Sequence, residues 1–506
     1  MSAAAAKLPA GGHGEGVLTP ALPYDMRPAA AKAARDVKLQ QFVNSAAGLK
    51  DRGRVDACRA AFGEKYDAVR DLAGMIKQHT LDHLDYYLDK FIEAAEAAGA
   101  KVHFAADGKE ANEICLGIAR ERACRLCVKS KSMVTEETRL VPALEAAGVE
   151  TLETDLGEFI LQLDHDAPSH IVTPMIHKDR AAVARAFVRE LNSPYTEDPP
   201  ALTAIAREHM RRKFRAADLG ISGANFLVAE TGSLVLCTNE GNADLSVGVP
   251  RVHVALVGIE KLIPSLEHLS VFLKLLARSA TAQPLTVYTS IITGPRKVGE
   301  PDGPEEVHII LLDNGRTELL REETRELLRC IRCGACLNAC PVYRKVGGGH
   351  AYGAVYSGPI GAAITPLMQG LANYPDLPQA SSLCGACFAA CPVKIDIPSQ
   401  LIRLREQLVD RGVASPGERA AMRLWAGVLK RPWAYRLANA ASRIIQRSKA
   451  LDGDPSDPYS DRRWTAAAPG PLAGWTDIRD LPTPTSRSFR SWWASRGRSD
   501  SAEGGT

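Results

Sequence analysis

Seven cysteines fall in two tight groups, and their spacing constrains this chain more than any other feature. Cys330, Cys333, Cys336 and Cys340 run into Pro341 as C-x2-C-x2-C-x3-C-P, and Cys384, Cys387 and Cys391 run into Pro392 as a repeat of its last three positions. One continuous run of four thiols ending in proline is the pattern of a bacterial-type iron–sulfur loop, whereas four-Cys zinc sites come as two separated pairs. Closely spaced thiolates curl round one cubane, and the cysteine beyond the longer spacing reaches the neighbouring one. That rule assigns Cys330, Cys333, Cys336 and Cys391 to a first 4Fe-4S cluster and Cys340, Cys384 and Cys387 to a second. The second is one thiolate short. Ser381 stands where its first cysteine is expected, leaving that corner to the serine oxygen, water, a partner's residue or nothing.

A chain of 506 residues, 45% of them apolar, is far longer than one ferredoxin-like unit and has material for more than one domain. A net charge of +3 is too small to imply nucleic acid or a membrane surface. The charge is nevertheless uneven, with eleven Lys or Arg against three Asp or Glu in residues 401–450. No apolar run reaches the roughly 18 residues of a membrane span. The start, Met1 to Gly16, lacks the charged and apolar regions of a signal peptide, so the expected location is the cytoplasm. In that reducing setting the twelve cysteines point to metal ligation rather than disulfides. Cys124 and Cys127, with Cys115 nearby, form a lone C-x-x-C without a following proline. They read as buried thiols, as do Cys58 and Cys237.

Prolines and glycines mark residues 1–37 as a flexible leading segment. Helical spacing of Val69, Leu72, Ala73 and Ile76 predicts a helical region over 38–100. Over 101–316, short apolar runs alternate with amphipathic stretches: Val102 to Ala105 then Ala111 to Ala123, Leu126 to Val128 then Thr135 to Ala147, Ile171 to Val172 then Ala181 to Leu191. This is the pattern of βα units on a largely parallel sheet. The sheet is expected to continue through Phe226 to Val228, Ser233 to Cys237, Val252 to Val257, Leu285 to Ile292 and Val307 to Leu312. A helix over Thr317 to Leu328 leads into a mainly α ferredoxin-type module at 317–400, and a basic region follows over 401–506. All six tryptophans lie in that last region and are expected to pack within the chain.

Several polar stretches of the α/β region carry a resemblance. Lys129-Ser130-Lys131-Ser132-Met133, Glu153 to Glu158, Pro168-Ser169-His170 through His177-Lys178, Gly220 to Asn225 and Glu230-Thr231-Gly232-Ser233 resemble the lactate utilisation domain family. With both cysteine loops and the Trp-rich tail, the chain from about Ala60 to Trp493 is similar to iron–sulfur subunits of bacterial L-lactate oxidation systems. The resemblance implies an α/β fold like that of sugar-phosphate isomerases and CoA transferases. It also implies companion lactate-utilisation subunits that together oxidise L-lactate to pyruvate.

Within that chemistry Lys129, Lys131, His170, His177 and Lys178 offer charge for a carboxylate and a base for a hydroxyl proton. Each has a plainer reading, as a solvated strand end or a hydrogen-bonded core histidine, and Asp155 and Glu158 read equally as helix caps. Glu230 in its E-T-G turn admits a rival function, an acyl or CoA transferase with structural clusters, though glycine in a strand turn explains the motif as well. No G-x-G-x-x-G marks a strand-to-helix turn, so no NAD or flavin fingerprint is visible. The expected function is therefore electron transfer, with electrons entering and leaving through partners and the acceptor unidentified.

Overall fold

Aspartates set many of the helix starts. Asp36, Asp107, Asp155, Asp179 and Asp198 each sit in extended backbone and accept a hydrogen bond from a backbone N–H of the first helical turn. These are N-caps that satisfy otherwise orphaned donors. The computed structural model describes residues 18–321, 323–413, 416–448, 464–465, 476, 481–482 and 488–499. The chain divides into two units, Met1–Val413 and Ala414–Thr506.

In the first unit, six strands form a wholly parallel sheet: β1 (Lys101–Ala105), β2 (Leu126–Lys129), β3 (Glu150–Glu153), β4 (Leu219–Ser222), β7 (Val252–Gly258) and β10 (Glu306–Leu312). Their order across the sheet is β1-β10-β7-β4-β2-β3. Alternation along β7 and β10 divides the core. Val254, Leu256, Ile310 and Leu312 face Ala111, Cys115, Ile118, Leu140 and Leu144 on one side. Ala255, Val257, Ile309 and Leu311 face Leu84, Phe91 and Ala95 on the other. Central strands buried on both faces read as nearly continuous apolar runs, as β7 does apart from its buried His253.

The remaining strands leave this sheet. β5 (Phe226–Val228), β6 (Ser233–Thr238), β8 (Leu262–Ile263) and β9 (Tyr288–Ile292) form a separate four-stranded sheet in the order β8-β5-β6-β9, mostly antiparallel. The single continuing sheet expected from sequence is thus two. The turn at Gly232 doubles β6 back antiparallel on β5, and β5 takes β8 as its parallel neighbour on the other side, so these strands pair among themselves. Ile171 and Val172 form no strand but lie in an irregular segment. The stretch Thr135 to Ala147 is two helices, Met133–Thr138 and Leu140–Ala146, broken where Arg139 turns left-handed at φ 57°. The segment before the first cysteine is a short helix, Arg316–Arg321, followed by a tighter 3₁₀ turn, Arg325–Arg329. Residues 26–35, read from sequence as part of a flexible segment, form a helix, and Tyr24 ahead of it donates from its hydroxyl to Ala351 O at 2.9 Å.

The cysteine module shares one hydrophobic core with the rest of the unit. That core runs from Val43, Ala73 and Ile76 of the N-terminal helices through Phe226, Phe272 and Leu275 to Leu337, Tyr343, Ile364 and Leu401. The polypeptides come close enough at Gly348 that a Cβ there would stand 1.6 Å from Ser169 O, so only glycine fits. In the second unit the helices Pro416–Leu429 and Pro432–Ser448 leave Trp425 and Trp433 exposed, as Trp493 is, contrary to the expected packing. Trp475 lies outside the described residues.

Arg70 joins the N-terminal helices to the second cysteine loop. It donates to Cys391 O at 2.9 Å and Phe388 O at 2.8 Å, while Asp67 balances its charge at 2.7 Å. Arg70→Ala strips those carbonyls of their charged donor. It is expected to cost about 2 kcal/mol, read as a lower urea midpoint for the cluster-loaded protein; an unchanged midpoint refutes the bracing role.

Candidate iron–sulfur centre and the cavity beside it

Backbone geometry makes the two cysteine loops equivalents of one another. In the first, Arg332 (φ 59°) and Gly334 (φ 73°) turn the chain left-handed ahead of the helix Ala335–Ala339. In the second, Leu383 (φ 55°) and Gly385 (φ 81°) do the same ahead of Ala386–Ala390. This register places Ser381 opposite Cys330. The hydrogen bonds agree: Arg332 N donates to Cys330 Sγ at 3.4 Å, and Leu383 N donates to Ser381 Oγ at 3.1 Å. Further backbone donors reach Cys340 Sγ from Tyr343 N and Cys391 Sγ from Ile395 N, both at 3.4 Å.

Cys330, Cys333, Cys336 and Cys391 line one small pocket whose other walls include Ile171, Ile360, Ile395 and Ile397. Burial pushes the thiols of Cys333 and Cys336 far up, and nearby Cys330 and Cys391 push them further. Cys387 is pushed up to about 12 by burial and next by Cys340, and burial raises Cys340, with Cys384 among its neighbours. Cys384 is exposed, and the Ala386 N–H followed by the Ser382 hydroxyl lowers it. Soft sulfur donors converging in an apolar pocket, with N–H groups aimed at them, fit an iron–sulfur cluster. Without a metal, such thiols keep their protons, so loading releases them.

Beside this pocket lies a larger cavity of about 380 Å³. The parallel sheet makes it. From β2 the chain runs outward to β3, and from β4 it runs back through β7 to β10, so the loops after β2 and β4 part company. Such a switch point leaves a crevice at the carboxyl ends of the strands. Here Ser130, Lys131 and Ser132 line one side and Gly223, Ala224 and Asn225 the other, while Arg332, Cys333 and Tyr356 close the end nearest the first cysteine pocket.

Buried charge fixes the surroundings of the cavity. Below it Lys129 meets Glu153 Oε1 at 2.7 Å and Glu136 Oε1 at 3.3 Å. Burial opposes the Lys129 charge, but those carboxylates outweigh it and hold its pKa up, while burial raises Glu153 to about 7. At the cluster end Arg316 meets Glu260 at 2.5 Å and both Glu137 oxygens at 3.0 Å, and the Tyr356 hydroxyl donates to Glu137 at 2.7 Å. Arg332 follows, 3.6 Å from Glu260 and over the Tyr356 ring at 4.3 Å. Burial opposes Glu260 ionisation, yet Arg316 and Arg332 bring its pKa down to about 2.

Of the residues singled out from sequence, Lys131 and Asp155 reach the cavity, with Asp155 also capping its helix through Glu158 N. His170 is buried, bonded to Asn338 Oδ1 at 3.1 Å and accepting from Val172 N at 2.9 Å; burial brings its pKa down to about 3, so it braces the first cysteine loop as a neutral ring. His177 and Lys178 are held elsewhere, against Asp166 at 3.0 and 2.6 Å, with His350 on the other Asp166 oxygen at 2.6 Å. Glu230 is exposed and accepts from Leu266 N at 3.1 Å. Cys115, Cys124 and Cys127 are core thiols beside the sheet. Lys261, Arg332, Glu240 and Tyr356 were missed by sequence reasoning. Only the position of Arg332 inside the first cysteine loop could have suggested one of them.

Three family models match in succession: the LUD domain over residues 88–312, the 4Fe-4S dicluster domain over 326–395, and the C-terminal domain of lactate utilisation protein B over 404–498. A lactate utilization protein B from Oceanobacillus iheyensis is 43% identical over 467 residues, covering 92% of this chain and 95% of the relative. The chain belongs to the lactate utilisation protein B family. Other members so named, from Geobacillus kaustophilus and Geobacillus thermodenitrificans, are each 44% identical, covering 92% and 89% of this chain and 96% and 93% of theirs. A crystal structure of a DUF162 family protein from Deinococcus radiodurans aligns at 12% identity over 45% of this chain and 98% of its own, with a TM-score of 0.26. In this family member, no helix among the described residues is long and apolar enough to cross a membrane.

Arg316→Met leaves Glu137 and Glu260 buried beside the cluster loop without their main counter-charge. The expected loss is about 3–5 kcal/mol, with less iron retained per chain. Wild-type denaturation and iron content in this variant would remove the ion chain from the architecture of the site.

Proposed function

We propose that this chain is the iron–sulfur electron-transfer subunit of a multi-protein system that oxidises L-lactate to pyruvate. The observation that carries the reading is the cross-supply of sulfur between the loops. Cys391 of the second loop shares a pocket with Cys330, Cys333 and Cys336, while Cys340 of the first has Cys384 and Cys387 as its sulfur neighbours. In this reading those are the ligand sets of two 4Fe-4S clusters, and Ser381 Oγ faces the fourth corner of the second. Bound there, the clusters carry one electron each. The first set of sulfurs is mostly buried while Cys384 leaves the second set open to solvent, and that exposure, with the N–H groups on sulfur, tunes the potentials.

Names of the relatives support lactate as the substrate of the system. The absence of a dinucleotide fingerprint from the sequence supports entry and exit of electrons through companion subunits and a separate acceptor. The reducing cytoplasm, where thiols persist for cluster assembly, is the compartment that suits such ligands. The transferase alternative is not favoured: Glu230 accepts from the first N–H of the helix Leu266–Thr281 and does not line the cavity.

Anaerobically loaded protein is expected to give cubane-type EPR signals on reduction by dithionite and no lactate-dependent dye reduction alone. Robust solo turnover, or zinc in place of iron, would overturn the reading. Ser381→Cys is expected to complete a four-sulfur set and change the EPR signal of the second cluster only. Spectra and iron content identical to wild type would show that residue 381 does not face the cluster.

A further inference from the structure

We propose that the cavity at the strand switch point is a binding site for a small organic acid, whose carboxylate is held by Lys261 and Arg332 beside the first cluster. The proposal rests on the electron-transfer reading above and adds a ligand site to it.

The cations at the cluster end are the first observation. Lys261 is only 7% exposed, lines the cavity, and has no hydrogen-bond or ion-pair partner for its ammonium among the described residues. The neighbouring carboxylate, Glu260, gives Oε2 to Arg316 at 2.5 Å, while its Oε1 stands 3.6 Å from Arg332 and forms no hydrogen bond among the described residues. Arg332 has 8% of its side chain exposed and keeps Nη1 without an acceptor. Burying a cation without a partner is costly, and proteins avoid it where no ligand compensates. Arg332 also lines the small cysteine pocket, where a cluster with its thiolates is itself an anion; Lys261 lines the cavity and not that pocket, and so points to an anion in the cavity, toward which Arg332 adds its charge.

The second observation is the division of charge within the cavity. Asp155 and Glu240 also line it, yet they belong to the opposite group. Asp155 caps a helix through Glu158 N, Glu240 accepts from Leu156 N in the same turn, and Lys131 is the cation near Glu240. Lys261 has instead Glu260, Arg332 and Cys330 as neighbours. A carboxylate thus has one favourable end, where Arg332 and Cys333 close the cavity. Cys333 also lines the small pocket of the first four sulfurs, so a ligand there sits one side chain away from that cluster. The position matches the general preference of ligands for switch points in parallel sheets.

The test uses the full-length, cluster-loaded protein under anaerobic conditions. Calorimetry with L-lactate and pyruvate is expected to show saturable binding, with neither lactamide, which lacks the charge, nor sulfate, which lacks the carboxylate plane, competing. L-lactate is expected to alter the EPR line shape of the first cluster and leave the second unchanged. Lys261→Met is expected to weaken binding about tenfold or more while thermal stability stays level or rises, because an unpaired buried charge has been removed. Lys131→Gln, at the other end, is expected to weaken it less. No binding by wild type, equal binding of sulfate, or undiminished binding by Lys261→Met would each overturn the proposal. Normal dithionite reduction with no acid binding would sink this site and leave electron transfer standing, whereas failure to load iron would sink the electron-transfer reading itself.

Discussion

The convergence of Cys330, Cys333 and Cys336 with Cys391, a residue of the other loop, is the contact on which the rest of this molecule depends. It demands that two segments separated by more than a helical hairpin meet with matching backbone. The left-handed turns at Arg332 and Leu383 and the glycines after them supply that match. The surrounding protein holds it. Arg70 grips the carbonyls of Phe388 and Cys391, and Arg344 donates to Asn338 O at 2.7 Å from the far side of the first loop. His170 wedges the first loop against the α/β region without carrying charge.

Ionic chemistry is concentrated at the boundary between the sheet and the cysteine module. The Glu137, Arg316, Glu260 and Arg332 chain is buried almost completely, yet each member touches an opposite charge. Pairs of this kind contribute little net stability compared with apolar packing, but they define geometry, since any other arrangement strands a charge. The sheet end and the cysteine loop are thereby set in one relation. Both the cluster pocket and the neighbouring cavity depend on that relation.

The 4Fe-4S dicluster domain was legible because iron–sulfur chemistry dictates cysteine spacing in a single stretch of sequence. So were β1, β2, β7 and β10 in outline, because strands buried on both faces leave short runs such as Val252 to Val257, whereas β3 and β4 went unrecognised. The second sheet was not, since β5 and β6 look like any other apolar runs and only their hairpin pairing separates them. Ile171 and Val172 misled for a related reason: apolar character there serves the walls of the cysteine pocket and the cavity rather than a strand. His177 and Lys178 carried the right residue types for acid–base chemistry but are committed to Asp164 and Asp166. Lys261 gave no signal because its significance lies in what surrounds it, and the absence of a partner cannot be read along a chain.

The core shared by the N-terminal helices, the smaller sheet and the cysteine module has a consequence for biogenesis. Most of the first set of thiols is enclosed by side chains such as Tyr343 and Leu337, while Cys384 of the second stands exposed. At the enclosed set, metal binding and closure of the core are therefore coupled, and maturation there becomes part of folding.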